Sequence, residues 1–390
     1  MGRRRAFDET YPTREGYTRF DQRNTSFGLR QRRRGAAIGY ATEEERLKQM
    51  RRNLPGYSIV DYAFKDAAGM YEGVPGEEGT LDFGFYKWTS LGATAKPRDL
   101  PRWEGSPDEA ARIVGKAARY FGAVGAGFCA IDERWIYSHD SSGRPIVFED
   151  VEEGYTTGEK AVIPTSHRWV VALTVPMEFR ENSNAPTALD VTSNMGYSRM
   201  HILAGFVAEF IRGLGYHAVP MGNDTSLSVP IAVQAGLGHV GRNGRLITWE
   251  RGPLVRICKI FTDLPLPTSP QAPTGIIEFC EACEKCSKMC PSGSIPRGPR
   301  TWEPRCEANN PGALKWYCDE EACLEYWHEV KTGCSICFRV CSFTKEPGLR
   351  HDAVKWFIRN VPQLNGLWVW SDELLGYGRI GDLKGYWDEE

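Results

Sequence analysis

Cysteine is the residue whose spacing says most in this 390-residue chain. The run CEACEKCSKMCP sets Cys280, Cys283, Cys286 and Cys290 in C-x2-C-x2-C-x3-C order, closed by Pro291. Thiolates are soft ligands, and three of them at two-residue gaps can wrap three corners of a [4Fe–4S] cubane. The fourth points away and, in two-cluster proteins, ligates the other cluster, so a second run is expected. It is present as Cys334, Cys337 and Cys341. The reciprocal assignment gives one cluster Cys280, Cys283, Cys286 and Cys341. The other takes Cys290, Cys334, Cys337 and a remote thiolate, because Lys331 stands where a regular run would supply one. Cys323, with ten residues between it and Cys334, is preferred over Cys318 and Cys306. Ser342 replaces the proline usual after the last cysteine. A zinc site needs only four ligands, and the paired runs exceed that need. Cys129 and Cys258, in apolar stretches, read as packed core thiols.

Other groups with chemical capacity are fewer. GLGHVG at 236–241 matches G-x-G-x-x-G, but RNGRLITWE follows it, which reads as turn then strand. A dinucleotide fingerprint must open a helix, so a tight glycine turn approaching a flat ligand is the better reading. No G-x-x-x-x-G-K-[ST] occurs, and the seven histidines show no ligand spacing. Arg256, in LVRICK, places a charge in an apolar strand, which is costly unless the charge is used or points outward from an edge. Taken alone, Tyr197 reads as a helix cap and Asn223 as a turn residue.

The elements that must position these groups are legible in part. SPDE at 106–109 offers an N-cap, a proline at the first helical position and a capping-box glutamate. GFCAI and RWVVALTV (168–175) read as strands. Met200, Leu203, Val207, Phe210, Ile211 and Leu214 give one apolar face to a helix from about Ser198 to Leu214, stopped by Gly215. YHAVP, RLITWE and PLVRICKIFTDLPL read as strands, with a short helix through SVPIAVQA. Strand–helix–strand order indicates an α/β core. The Pro-rich stretch 264–275 reads as a linker. Residues 1–34 hold ten arginines against four acids, and 371–390 six acids against two bases; both read as solvated ends.

The segment 194–266, with NMGYSRM, MGND, GLGHVG and LVRICK, resembles the corrinoid-dependent reductive dehalogenases. So do both cysteine runs and the aromatic tail with LLGYGR, and the likeness covers roughly residues 100–390. It implies an α/β (α+β) fold: a nitroreductase-like cobalamin-binding core with a ferredoxin-like module of two [4Fe–4S] clusters. The expected layout is an irregular N-terminal segment (1–100) packed on the core, the core (101–265), the cluster module (266–345) and an aromatic tail (346–390). The cobalamin is expected base-off, and the D-x-H-x-x-G pattern of histidine-ligated cobalamin proteins is absent. The implied reaction is reductive cleavage of a carbon–halogen bond in an organohalide. The resemblance makes Tyr197 the proton donor and gives Asn223 and Arg256 the support of its phenolate. Leu227, Gly236, Gly238, Gly241, Leu246 and Ile257 offer the apolar walls and backbone donors a corrinoid requires. Trp327 is the candidate wall of an apolar substrate pocket.

A net charge of −2 gives no general pull toward nucleic acid. The expected partners are a small halogenated substrate and an external electron donor such as ferredoxin, flavodoxin or a reductase. No apolar stretch is long enough to span a membrane. MGRRRAF is followed by DETYPTREGYTRFDQRN, which is no apolar signal region. The sequence as it stands reads as cytoplasmic, or as periplasmic or membrane-associated if an export signal has been removed. An epoxyqueuosine reductase-like enzyme, acting on tRNA with the same cofactors and with Asp224 as nearest acid, is the alternative. A simple ferredoxin-like carrier would not need the nearly 280 residues before the first run.

Overall fold

The computed structural model describes residues 7–35, 40–68, 88, 101–271 and 275–388. Helices α1 (Phe7–Thr10), α2 (Ser26–Arg34), α3 (Glu43–Arg52) and α4 (Ile59–Ala68) come first. Then follow α5 (Pro107–Tyr120), β1 (Gly125–Ala130), β2 (Ile146–Glu149), β3 (Tyr155–Thr156), β4 (Ala161–Pro164) and β5 (Trp169–Pro176). Next are α6 (Phe179–Asn182), α7 (Thr192–Gly213), β6 (Ala218–Met221), α8 (Ser228–Gln234), β7 (His239–Val240), β8 (Leu246–Ile247) and β9 (Val255–Thr262). The cysteine region holds α9 (Ile276–Ala282), α10 (Lys285–Lys288), α11 (Glu320–Val330) and α12 (Ile336–Arg339); α13 (Leu349–Asn360) and α14 (Asn365–Leu374) form the tail.

The central sheet runs β1-β5-β9-β6 and is antiparallel throughout. Its side chains alternate between two cores, as strand geometry requires. Val171, Leu173, Val175, Cys258 and Ile260 pack with α5 and α7. Val170, Ala172 and Phe261 face the other way, toward Ile231 of α8 and Ile146 and Ile163 of the β2-β4-β3 sheet. An inner strand covered on both faces explains the nearly unbroken apolar run of β9. Cys129 and Cys258 are buried within these layers, as expected of core thiols.

Helix α5 starts as its sequence dictates. Ser106 accepts from the Glu109 N–H, Glu109 accepts from the Ser106 N–H, and Pro107 takes the first helical position. Helix α7 begins at Thr192, earlier than its apolar ladder indicates. Met200, Leu203, Val207 and Ile211 form that ladder and are buried. The two turns before it carry Thr192, Ser193, Asn194, Gly196 and Tyr197, residues that make specific contacts instead of filling a core. Tyr197 therefore lies inside the helix and is not its cap. Gly215, at φ +91°, ends the element in a conformation that side chains disfavour.

Two further readings are corrected. Leu264 and Leu266 are buried in the α7-side core, and Ser269 exchanges hydrogen bonds with the Phe128 backbone, so the first part of 264–275 is anchored. The stretch 272–274 lies outside the described residues. Arg30, Arg33 and Arg34 are not part of a free solvated arm. Arg30 and Arg34 pair with Glu325 at 2.5 and 3.1 Å, and Arg33 pairs with Glu307 and Glu321. Helix α2 thereby lies against α11 of the cysteine region.

Leu203→Ala removes a fully buried side chain between α7 and the sheet. The expected loss is about 2–5 kcal/mol, read as a lower denaturant midpoint in equilibrium unfolding.

Candidate active site and thiol clusters

Tyr197 projects from the second turn of α7, where its ring is half-buried against the core. The Asn223 side-chain amide donates to the Tyr197 hydroxyl oxygen at 2.8 Å. The Arg256 guanidinium carbon stands 4.4 Å from the centroid of the same ring. Ser193, one turn earlier on α7, accepts from Arg256 Nη2 at 2.6 Å and fixes the guanidinium there. Gly196 allows this approach, since a Cβ at that position would lie 2.7 Å from Arg256 Cγ. Arg256 belongs to an inner strand and faces α7, so its charge does not point out from a sheet edge. The sequence-selected trio Tyr197, Asn223 and Arg256 is thus brought together by three separate elements.

Lys259, the last residue of LVRICK, is assigned no role from the sequence, and its place is informative. It is fully buried on β9. Its ammonium donates to the Gly222 and Ser226 carbonyls, the latter at 3.1 Å, and to Ser228 Oγ at 2.8 Å. Burial pushes the ammonium down to about 8. The loop it ties down carries Asn223. Asp224 turns back within that loop, accepting from the Gly222 N–H at 2.7 Å and the Thr225 hydroxyl at 2.8 Å. A signal for Lys259 does exist, because it is a second cation in the apolar VRICKIF run.

The glycine motif forms a hairpin and no helix, with β7 pairing to β8. A Cβ at Gly238 would sit 2.2 Å from the Ile247 carbonyl oxygen, so only glycine permits the approach. Gly236 and Gly238 line a cavity of about 230 Å³ with Gly125, Thr174 and Val255. Of the other proposed lining residues, Gly241, Leu246 and Ile257 are buried and Leu227 is half-buried, and none lines this cavity. Trp327 packs edge-on against Phe27 at 6.0 Å and Tyr40 at 5.2 Å, with its indole N–H buried and unpartnered among the described residues.

From this hairpin two arginines reach the cysteine region. Arg242 is 1 % exposed and lies over the Trp316 ring. It donates to the carbonyls of Cys280 (2.7 Å), Gly298 (2.7 Å), Pro296, Cys283 and Glu281. Arg245 makes a two-pronged pair with Glu320 at 3.1 and 3.3 Å. In the sequence Arg242 reads as a turn residue and Arg245 as the start of the RLITWE strand, so neither stands out there.

The thiols gather in two sets. Cys280, Cys283, Cys286 and Cys341 lie within electrostatic range of one another. Cys323, Cys334, Cys337 and Cys290 lie in a second gathering, in which Cys323 senses both Cys334 and Cys290, and Cys286 of the first set also senses Cys337. Cys318 reaches Cys323 and Cys337, whereas Cys306 reaches no other thiol among the interactions described. Among the described residues no three His, Cys, Asp or Glu converge closely enough for a single ion, so each set is gathered at longer range than one ion's ligands. Burial pushes seven of these eight thiols up, Cys323 and Cys341 to about 12. At Cys290 burial acts the same way, but hydrogen bonds from Ser292 and the backbone N–H groups of Ile295, Ser294 and Ser292 together outweigh it.

The family model described as reductive dehalogenase subunit matches residues 26–138 and 134–266. The chain belongs to the reductive dehalogenase family. It is 36% identical over 317 residues to the tetrachloroethene reductive dehalogenase of Sulfurospirillum multivorans, covering 77% of this chain and 62% of that protein. The chain therefore spans less than two thirds of that relative's length. Its fold matches the solved catabolic reductive dehalogenase NpRdhA, in complex with 3-bromo-4-hydroxybenzoic acid, at a TM-score of 0.67. That match covers 94% of this chain and 47% of the other, at 21% identity. An epoxyqueuosine reductase of Listeria monocytogenes is 32% identical over 117 residues, 30% of this chain.

After anaerobic reconstitution with iron and sulfide, Cys323→Ser is expected to lower bound iron by about half, since one of two four-thiolate sets is broken. Cys318→Ser is expected to leave it unchanged. Iron and acid-labile sulfide assays distinguish the two.

Proposed function

We propose that this chain is a cobalamin-dependent reductive dehalogenase that holds two [4Fe–4S] clusters and releases halide from a small organohalide. The observation that carries this reading is the phenol of Tyr197 set between an amide donor and a guanidinium, on the same framework as two buried thiol sets. Cys280, Cys283, Cys286 and Cys341 would hold one cluster, and Cys290, Cys323, Cys334 and Cys337 the other. The donor chemistry fits: thiols are soft ligands, and a bound cationic metal centre would offset the burial that disfavours the free thiolates. Leu227, Gly236, Gly238, Gly241, Leu246 and Ile257 would line the corrinoid, and of these Gly236 and Gly238 face the cavity beside the sheet. When bound, these groups supply low-potential electrons and the reducing metal centre.

The work of the protein's own residues follows from elementary chemistry. Converting R–X to R–H takes two electrons and one proton and expels X⁻. Asn223 donates to the Tyr197 oxygen, so the phenolic O–H remains directed elsewhere as a donor. As the proton leaves, negative charge grows on that oxygen and spreads into the ring. The Asn223 hydrogen bond then becomes charge-assisted, and the attraction of Arg256 for the ring strengthens. Both groups are positioned in advance, which makes them worth more in the transition state than in the resting site. Lys259 and Ser193 hold the two supporting residues in place.

Trp327, with Phe27 and Tyr40, is proposed to wall the substrate pocket; the name of the Sulfurospirillum relative makes chloroethenes the first substrates to try. An external donor, such as ferredoxin, flavodoxin or a reductase, would deliver the electrons. The division into a core to residue 265, a cluster module to 345 and a tail is part of the same proposal. The epoxyqueuosine reductase reading is less supported, because the trio around Tyr197 includes no acid in the donor position.

The test is anaerobic reconstitution with iron, sulfide and cobalamin, followed by halide release from a panel of organohalides. Tyr197→Phe is expected to retain both cofactors and lose most turnover. Asn223→Ala is expected to lower kcat by about 10²-fold, as for loss of one preorganised donor. Unchanged halide release in Tyr197→Phe would overturn the proton-donor assignment.

A further inference from the structure

The tail helix α14 inserts one carboxylate, Asp372, between two lysines of the cysteine region. Lys285 Nζ lies 2.5 Å from Asp372 Oδ2, and Lys345 Nζ lies 2.8 Å from Oδ1. The three residues are 6 %, 8 % and 6 % exposed (Lys285, Lys345, Asp372). Lys285 also donates to the Tyr377 carbonyl at 2.6 Å, and Lys345 stands 4.0 Å over the Tyr377 ring. Ser342 donates to Asp372 Oδ2 at 3.2 Å and lies 3.7 Å from the Cys283 sulfur. The serine that departs from the usual cysteine–proline motif is thus the link between this ionic group and a thiol. Asp372 and Lys345 both act electrostatically on Cys341, another member of the same set.

Two ammonium groups against one carboxylate leave an excess positive charge out of water. Such a charge is costly unless an anion answers it. The neighbouring pair of Arg242 and Glu284, 3.8 Å apart, contributes one charge of each sign and does not supply that anion. Four thiolates outweigh the positive core of an iron–sulfur cubane, so a cluster on Cys280, Cys283, Cys286 and Cys341 is anionic and gains negative charge on reduction. Net charge and hydrogen bonds at the sulfurs are what set such a cluster's potential. The second set has cations of its own: Arg245 paired with Glu320, Lys315 beside that pair, and Arg339 acting on Cys334.

We infer that the Lys285–Asp372–Lys345 group, relayed through Ser342, is the built-in counter-charge of the first cluster and raises its reduction potential. The tail helix is then a positioning element of the electron path as well as a cover. This inference rests on the proposed ligand set Cys280, Cys283, Cys286 and Cys341.

The test uses the full chain, reconstituted anaerobically and titrated with dithionite while the two cluster signals are followed by electron paramagnetic resonance. Lys345→Met removes one positive charge and leaves the Lys285–Asp372 pair intact. It should move one midpoint potential downward and leave the other in place. Asp372→Asn should move the same midpoint upward, and Lys345→Arg should stay at the parent value. Opposite signs are the mark of charge, since a packing defect moves all three variants alike. Unmoved midpoints in an iron-replete Lys345→Met chain overturn the inference, as do equal shifts in Lys345→Met and Lys345→Arg. If Lys345→Met loses one cluster, its retention in Lys345→Arg supports the counter-charge role, and its loss in both overturns it. A parent chain that takes up no iron overturns the cluster reading and this inference together.

Discussion

A cation removed from water is costly without partners, and this requirement organises the molecule. Arg242 is the clearest case. Its guanidinium is enclosed by the carbonyls of Cys280, Glu281, Cys283, Pro296 and Gly298. Those carbonyls belong to the cysteine loop, while the arginine belongs to the hairpin over the sheet. Neither piece can shift without stranding a buried charge, a far larger penalty than the loss of an ordinary hydrogen bond. The joint between sheet and cysteine region is therefore rigid for an electrostatic reason, and apolar contact merely fills the space around it.

The same requirement governs the tyrosine site. Arg256 and Lys259 lie three residues apart on β9 and so project to opposite faces of the sheet. One face meets α7, and there Arg256 finds Ser193 and the Tyr197 ring. The other meets α8 and the 222–228 loop, and there Lys259 finds backbone carbonyls. A single strand thus fixes both supports of the phenol, directly through Arg256 and indirectly through the loop that carries Asn223. The geometry around Tyr197 depends on strand register: slipping β9 by one residue would exchange the faces and dismantle both.

Much of this is legible in the sequence, for identifiable reasons. Thiol spacing encodes local geometry, so residue order alone shows which cysteines belong to the two runs. The capping box at Ser106 and the apolar strands are likewise local signals. What stays hidden depends on partners far along the chain. The first turns of α7 lack an apolar ladder because their residues serve the site, so the helix seems to start late. Arg242 looks like a turn residue and Arg245 like the start of a strand because their acceptors lie on segments from 280 onward. The N-terminal arginines look solvated because their glutamates are about 270 to 300 positions away. Charge composition alone cannot distinguish a free arm from one that is paired.

That last pairing also bears on where Cys323 sits. Cys323 is separated from its run, and a free loop would pay conformational entropy to bring it back. It sits instead on α11, a helix whose first turn is capped by Asp319 accepting from the Ala322 N–H. Arg245 holds the helix from the hairpin through Glu320, while Arg30, Arg33 and Arg34 of α2 hold it through Glu321 and Glu325. Single exposed pairs contribute little, but several from one helix onto another fix orientation, and those most exposed are the ones salt screens. Trp327, on the same helix, packs against Phe27 and Tyr40 and adds an apolar anchor that salt does not weaken. The second thiol set therefore owes its geometry to the N-terminal segment, whereas the first owes its own to the sheet hairpin and the tail.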